Sequence, residues 1–173
     1  MSNLKATNQK QIVVFSLDER RYALNLSAVE RVVRAVEITP LPKAPGFVLG
    51  VINYQGQIIP VVDIRQRLNL PQRDIVSDDQ LILARTSRRL VALVADSVAG
   101  IHELPDRESV AAEQVLPGAE YIHGAAKLDG NLLLICDLDQ FLPFAEERRL
   151  EAVLAGNVTK TGRKTRRKTG EAV

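Results

Sequence analysis

Apolar residues in this chain come in short bursts. Some alternate with polar positions and others run unbroken for only a few residues before a turn signal, so the pattern is one of strands rather than long helices. Ile12–Leu17 (IVVFSL) predicts a buried strand, the DERR that follows predicts a turn, and Tyr22–Leu26 (YALNL) predicts an alternating return strand. Ser27 and Glu30 stand three apart as in a capping box, which predicts a helical turn over 27–33. The stretch 38–47 (ITPLPKAPGF) holds three prolines and a glycine and reads as a loop. VLGVINY and QIIPVV then predict a hairpin around Gln55-Gly56, where glycine can hold positive φ. Pro60 has no N–H to give, which puts its strand at an edge or a bulge.

The second half restarts after a polar junction at 69–80. LILART (81–86) and LVALVADSVAGIHEL predict strands around an SRR turn, and 105–120 is an excursion with one short helix. A hairpin at Asp129-Gly130 leads into the strand LLLIC. FAEERRLEAVLAG closes as an amphipathic helix with Leu150, Val153 and Leu154 on one face and Gly156 as its stop.

The two halves carry the same pattern. GVINYQGQIIPVVDIRQRL (50–68) aligns without a gap on GAAKLDGNLLLICDLDQFL (124–142), 74 residues later. The identities are Gly50/Gly124, Gly56/Gly130, Asp63/Asp137, Gln66/Gln140 and Leu68/Leu142, and most other positions keep an apolar residue for an apolar one. The glycines are read as turn residues. Asp63 with Gln66, and Asp137 with Gln140, form the D-x-x-Q signature of a helix N-terminus. An offset of 69 places Tyr22-Ala23-Leu24 on Val91-Ala92-Leu93, Val29 on Val98 and Val32 on Ile101. Each half has about five short strands and one short helix, and units of that size close into barrels that hide their edges. The expected fold is therefore mainly β: two similar barrels, the first over about 18–70 and the second over about 80–143, within one domain spanning 11–155.

Composition narrows the chemistry. Trp is absent and aromatics make up 4 % of the 173 residues, so the core must be built from Val, Leu, Ile and Ala. The single Cys136 excludes an internal disulfide framework and suits a reducing compartment. The N-terminus lacks an apolar signal-peptide core, and the expected location is the cytoplasm. The net charge of +2 is uneven: residues 156–173 hold six Lys/Arg against one acid and read as a flexible basic tail, which leaves the rest of the chain mildly acidic.

One Asp per repeat raises the question of a shared-proton dyad, but such dyads use Asp followed by Thr or Ser and then Gly, and here Ile64-Arg65 and Leu138-Asp139 follow. Capping accounts for both aspartates. His102 and His123 stand in no metal-ligand spacing, Cys136 lies in an apolar run as an inert thiol, and no phosphate loop or nucleophile elbow is present. The expectation is a protein with no enzyme activity, no cofactor, no metal and no small-molecule substrate.

FSLDERRYALNLSAVERVVR, APGFVLGVINYQGQIIPVVDIRQRL and LVALVADSVAGI, in that order and spacing, resemble the CheW family of bacterial chemosensory coupling proteins over about Gln11 to Leu154. GVINYQGQIIPVVDIR is the most specific piece. The resemblance implies two SH3-like barrels acting as a scaffold. It implies two partners, the regulatory domain of a CheA-type histidine kinase and the cytoplasmic tip of a chemoreceptor, with recruitment to membrane-associated arrays. It also implies a monomer when free. By the same resemblance a receptor helix lies in the groove between the barrels, and the matching positions here are Val29, Val32, Val98 and Ile101, with Arg31, Gln55 and Gly56 close by. The family usually has Glu where this chain has Arg31 and Arg where it has Gln55, so the family's ion pair is replaced, which points to a divergent receptor or to a surface-motility pathway. Two other readings compete: a relative that binds kinase without receptor control, and a nucleic-acid-associated protein acting through the basic tail by counterion release.

Overall fold

The computed structural model of the chain describes residues 9–105, 109–111, 121–142 and 146–156. Its strands are β1 (Gln9–Leu17), β2 (Arg20–Asn25), β3 (Val29–Arg34), β4 (Val48–Tyr54), β5 (Gln57–Val62), β6 (Gln80–Arg85), β7 (Leu90–Ala95), β8 (Ser97–Pro105), β9 (Ser109–Ala111), β10 (Ile122–Leu128) and β11 (Asn131–Cys136). Short helices α1 (Ile64–Arg67) and α2 (Leu138–Phe141) follow β5 and β11, and α3 spans 146–156. Of the 105–120 excursion the structure describes 105 and 109–111, as strand, and the rest of it lies outside the described residues; of the tail predicted over 156–173 only Gly156 is described, as the last residue of α3. Among the described residues no helix is long and apolar enough to cross a membrane.

Two sheets form, each with five strands in matching order. One runs β3-β6-β7-β5-β4; the other runs β8-β1-β2-β11-β10, with β9 added at its edge. The first is a middle barrel built from 29–95, and the second is a terminal barrel built from the segments on either side. The barrels therefore do not divide at the 69–80 junction as the repeat predicts. Each leading hairpin (β1–β2 or β6–β7) takes its third strand and its trailing hairpin from the other repeat. β5 pairs in parallel with β7, and β11 with β2. The reason is physical: the two repeats carry the same apolar pattern, so a local pattern specifies the kind of hairpin that pairs but not which copy.

Three hairpins turn on two residues that both have positive φ: Asp18-Glu19 (47° and 66°), Gln55-Gly56 (50° and 81°) and Asp129-Gly130 (51° and 78°). Such turns match the right-handed twist of the strands they join. Two sequence expectations are corrected here. The helical turn over 27–33 is a single 3-10 turn (Leu26–Ala28) followed by β3, because Val29, Val32 and Val33 are β-branched and β6 offers an edge to pair with. Pro60 lies in a strand flanked on both sides. Its opposite residue, Val51, directs both backbone groups to Thr39 (2.9 and 2.8 Å), so Val51 and Pro60 face each other where the β4–β5 ladder exchanges no hydrogen bonds. The ladder to β7 begins one residue later, at Val61.

Gly50 and Gly124 are not turn residues. Each marks a register shift inside its strand, between Val48 and Gly50 in β4 and between Ile122 and Gly124 in β10. At Gly50, φ is +154° and an added Cβ would lie 2.2 Å from the Thr39 carbonyl oxygen. The proline-rich loop crosses β4 there, and only glycine leaves room for it.

The apolar core has three layers. Ile52, Ile59, Leu81 and Leu83 fill the middle barrel, and Ile12, Val14, Leu133 and Ile135 fill the terminal barrel. The largest cluster lies between them and includes Phe15, Leu24, Ile82, Leu93, Phe141 and Leu150. Alternate residues of β7 enter different layers: Leu90, Ala92 and Val94 point into the barrel, and Val91, Leu93 and Ala95 into the shared layer. A strand buried on both faces needs an unbroken apolar run, which is why LVALVA contains no polar residue.

Polar groups clamp the barrels at the rim of this layer. The Arg65 side chain, 6 % exposed, pairs with Asp18 in the β1–β2 turn (2.8 Å) and Asp96 in the β7–β8 turn (2.6 Å), and donates to the Pro71 carbonyl (3.1 Å). Arg73 grips Asp79 with two hydrogen bonds (2.8 and 2.6 Å) and also reaches Asp96. Burial alone would raise the pKa of Asp96, but the Asp18 amide and both guanidiniums outweigh it and hold the carboxyl below its usual value. Burial opposes ionisation of Asp79 in the same way, and Arg73 with the Val76 amide again wins. On the far side α3 buries Leu150 completely and carries Glu146 to Arg67 and Glu147 to Arg89. The Arg67 guanidinium stacks 3.8 Å from the Phe47 ring centre.

Two outcomes test this frame. Gly50→Ala should destabilise the chain by about 2 kcal/mol, because backbone must move, whereas Gly46→Ala, with nothing within 4 Å of its new Cβ, should stay within about 0.5 kcal/mol of the parent in chemical denaturation. Arg65→Ala should cost about 2–3 kcal/mol, since it strands two carboxylates. Both Asp79 and Asp96 have depressed folded-state pKa values, so their contribution is complete above the unfolded value of about 3.9 and disappears as pH falls through the folded values. Acid titration of stability should show that loss, and Asp96→Asn should flatten it.

Candidate functional site: two bulged edge strands

β3 and β8 are repeat mates, and each stands at the edge of its sheet. Strand geometry sends successive side chains to opposite faces, so residues three apart, such as Val29 and Val32, should diverge. They do not, because a bulge leaves Glu30 unpaired: Val29 lies opposite Ala84, Arg31 opposite Leu83 and Val32 opposite Ile82. Ala84 and Ile82 belong to the layer between the barrels, whereas Leu83 belongs to the barrel interior. The bulge thus turns Val29 and Val32 to the shared layer together and leaves Arg31 on the other face.

β8 repeats the device. Val98 lies opposite Phe15 and Ile101 opposite Val13, with Ala99 unpaired between them. Val29, Val32 and Val98 are half-buried and pack against the shared layer. Ile101 is 60 % exposed, more than any other large apolar side chain among the described residues. The four valine and isoleucine positions thus form two matched apolar pairs, one per repeat, on faces turned toward the junction of the barrels.

Arg31, Gln55 and Gly56 line a separate cleft of 340 Å³ at the mouth of the middle barrel, together with Glu30, Tyr54 and Leu83. Arg31 Nη1 donates to the Tyr54 hydroxyl at 2.6 Å, and the guanidinium lies 5.9 Å from that ring's centre. The Gly56 amide donates to Asn53 Oδ1 at 3.0 Å and fixes the turn that presents Gln55. Residues read from the sequence as one patch therefore fall on two faces of β3. Tyr54 escaped the sequence reading, although a tyrosine beside a hairpin turn in a chain this poor in aromatics was the available signal. The Glu30–Arg85 pair at 2.8 Å was also missed; both partners are well exposed, so it adds little stability.

The remaining sequence candidates are structural. Asp63 Oδ1 accepts from the Arg65 amide (3.0 Å) and Asp137 Oδ1 from the Asp139 amide (3.2 Å), so both aspartates cap their helices. Neither glutamine closes a reciprocal box. Gln66 donates instead to the Gly46 carbonyl at 3.1 Å, and the exposed Gln140 bonds through its backbone amide to the Asp137 carbonyl. Gly56 and Gly130 sit in turns, as expected. Burial pushes the Cys136 thiol up to about 12, far from a nucleophile's range. Among the described residues no group of three His, Cys, Asp or Glu side chains could hold a metal ion.

Comparison with known proteins gives a consistent result. The family model of the CheW-like domain matches residues 11–146. A chemotaxis protein CheW of Thermotoga maritima is 30 % identical over 137 residues, covering 79 % of this chain and 90 % of the relative. A chemotaxis protein CheW of Rhizobium meliloti is 28 % identical over 141 residues, covering 80 % of this chain and 90 % of the relative. The crystal structure of the scaffolding protein CheW from Thermoanaerobacter tengcongensis superposes with a TM-score of 0.73 at 30 % identity, covering 80 % of this chain and 95 % of that one.

Proposed function

The chain belongs to the CheW-like family of non-enzymatic chemotaxis scaffolds, and on that premise we propose that it couples a chemoreceptor tip to the regulatory domain of a CheA-type kinase. The observation that carries the receptor half is the pair of bulges. They set Val29 and Val32 from one repeat, and Val98 and Ile101 from the other, on faces turned to the barrel junction. An amphipathic helix offers apolar anchors at three- and four-residue spacing, which a receiving surface must match with apolar side chains from both of its walls. Ile101, left exposed, is the position with most surface to gain from burial.

The cleft beside this surface sets receptor choice. Arg31 stands where relatives usually carry an acid, and Tyr54 has taken it as a hydrogen-bond partner in place of the family's ion pair. A receptor matched to this chain accordingly meets a cation and a neutral amide at Arg31 and Gln55. The free protein is a monomer, and its working place is the cytoplasmic face of a receptor array.

Titration of a soluble receptor-tip fragment from the same cell tests the assignment. Ile101→Asp should weaken binding at least about tenfold by burying an unpaired charge, with little change in the melting temperature because the site is exposed. Unaltered affinity would remove Ile101 from the contact. Restoring the usual charges with Arg31→Glu and Gln55→Arg should weaken binding to the chain's own receptor, and equal or tighter binding would show that the cleft does not select it.

A further inference from the structure

Arg31 stands in a cleft that offers it no carboxylate. Arg65, Arg67, Arg73 and Arg89 each pair with an aspartate or glutamate of this chain. Arg31 does not: among the described residues its hydrogen bond runs from Nη1 to the Tyr54 hydroxyl at 2.6 Å. Its sequence neighbour Glu30 lines the same cleft but turns to Arg85, 2.8 Å away. Glu30 and Arg85 offset each other, so the cleft keeps the single positive charge of Arg31.

The cation is also held in place. Tyr54 is half-buried and packs against the core of the middle barrel. The hairpin fixes where its ring stands: Tyr54 pairs with Gln57 across the turn, and Asn53 Oδ1 accepts from the Gly56 amide. The guanidinium lies 5.9 Å from the ring centre. The contact with Tyr54 occupies one N–H of a fork that carries several, and the hydroxyl that accepts it keeps its own O–H to donate. Gln55 and Gln57 add side-chain amides to the wall. The 340 Å³ cleft is therefore rich in donors, and the carboxylate on its wall is already paired.

We propose that this cleft binds a carboxylate, the side chain of an aspartate or glutamate on the receptor tip; the source of that carboxylate rests on the receptor assignment above. A planar guanidinium meets both oxygens of a carboxylate with parallel N–H donors, and Tyr54 holds this one ready. The charge matches as well. A carboxylate balances Arg31, whereas a phosphate group, with close to twice the charge, exceeds it. The receptor is the source because β3 serves both surfaces. Arg31 stands between Val29 and Val32, and the bulge that turns the valines to the barrel junction leaves Arg31 facing the cleft. A helix seated on the valines runs past this strand, and an acid beside its apolar anchors is the group that meets Arg31.

A double-mutant cycle tests the contact. Each Asp and Glu of a receptor-tip fragment from the same cell is changed in turn to Asn or Gln, and each fragment is titrated by calorimetry into the full chain and into Arg31→Gln. Arg31 is exposed, so the variant should keep the parent's melting temperature. One fragment substitution should weaken binding to the parent about tenfold and change binding to Arg31→Gln less than about twofold, the mark of a direct charge-assisted pair. Arg31→Lys, which keeps the charge without the fork, should recover only part of the affinity, and full recovery would contradict bidentate recognition. If every substitution weakens both chains equally, the cleft takes no receptor carboxylate and the inference falls, while the receptor assignment stands on the fragment's binding and its loss in Ile101→Asp. A fragment that does not bind the parent chain removes the receptor assignment and this inference with it.

Discussion

The apolar layer shared by the two barrels is the constraint on which the rest depends. Neither sheet can bury its outer face alone, and each uses the other as its lid. That demand explains features that look unrelated in the sequence. β7 is apolar at every position because both of its faces are covered. Phe15, Phe141 and Leu150, which arrive from opposite ends of the chain, meet in one cluster. Connectivity reinforces the layer, since the chain passes between the barrels twice, from β2 to β3 and from β7 to β8. The Arg65 and Arg73 clamp closes the rim with charges that are paired where they are least exposed.

The proposed function rests on small departures within this symmetric frame. One extra residue in each edge strand converts a two-residue period into a three-residue spacing, and it does so at the same place in both repeats. The result is a matched pair of apolar contacts suited to a helix, made by a fold that is nearly all strand. Asymmetry enters in the polar groups. Arg65 locks one corner with two carboxylates, while its repeat mate Asp139 accepts from the Ser87 amide instead. On the proposed reading the chain holds different partners on similar barrels, and such differences would let the two surfaces discriminate between them.

Much of this was legible in the sequence, and the failures have specific causes. Turn residues and strand alternation fixed the hairpins at Gln55-Gly56 and Asp129-Gly130, and the capping aspartates Asp63 and Asp137 were correctly placed. The offset of 69 paired Val29 with Val98 and Val32 with Ile101, the residues that flank the two bulges, although it did not show that they lie on edge strands. The same three-residue spacing misled the local reading, since it looks helical when a bulge is the cause. Strand partners were beyond reach because the two repeats are alike. Gly50 read as a turn because a sequence does not show a distant backbone crossing at Thr39. The ion clamp was invisible for a related reason: Asp18, Arg65 and Asp96 are far apart in the chain, and only the fold brings them to one corner.

The central claim is that one chain of two barrels packed on a shared layer holds two partners at once on separate surfaces. Calorimetric titration of the chain with a CheA-type regulatory domain, alone and again after saturation with a receptor-tip fragment, addresses it most directly. The account predicts saturable binding of the kinase domain in both cases, with a stoichiometry of one and a ternary complex in the second. Absence of binding, or displacement of the receptor fragment by the kinase domain, would contradict it.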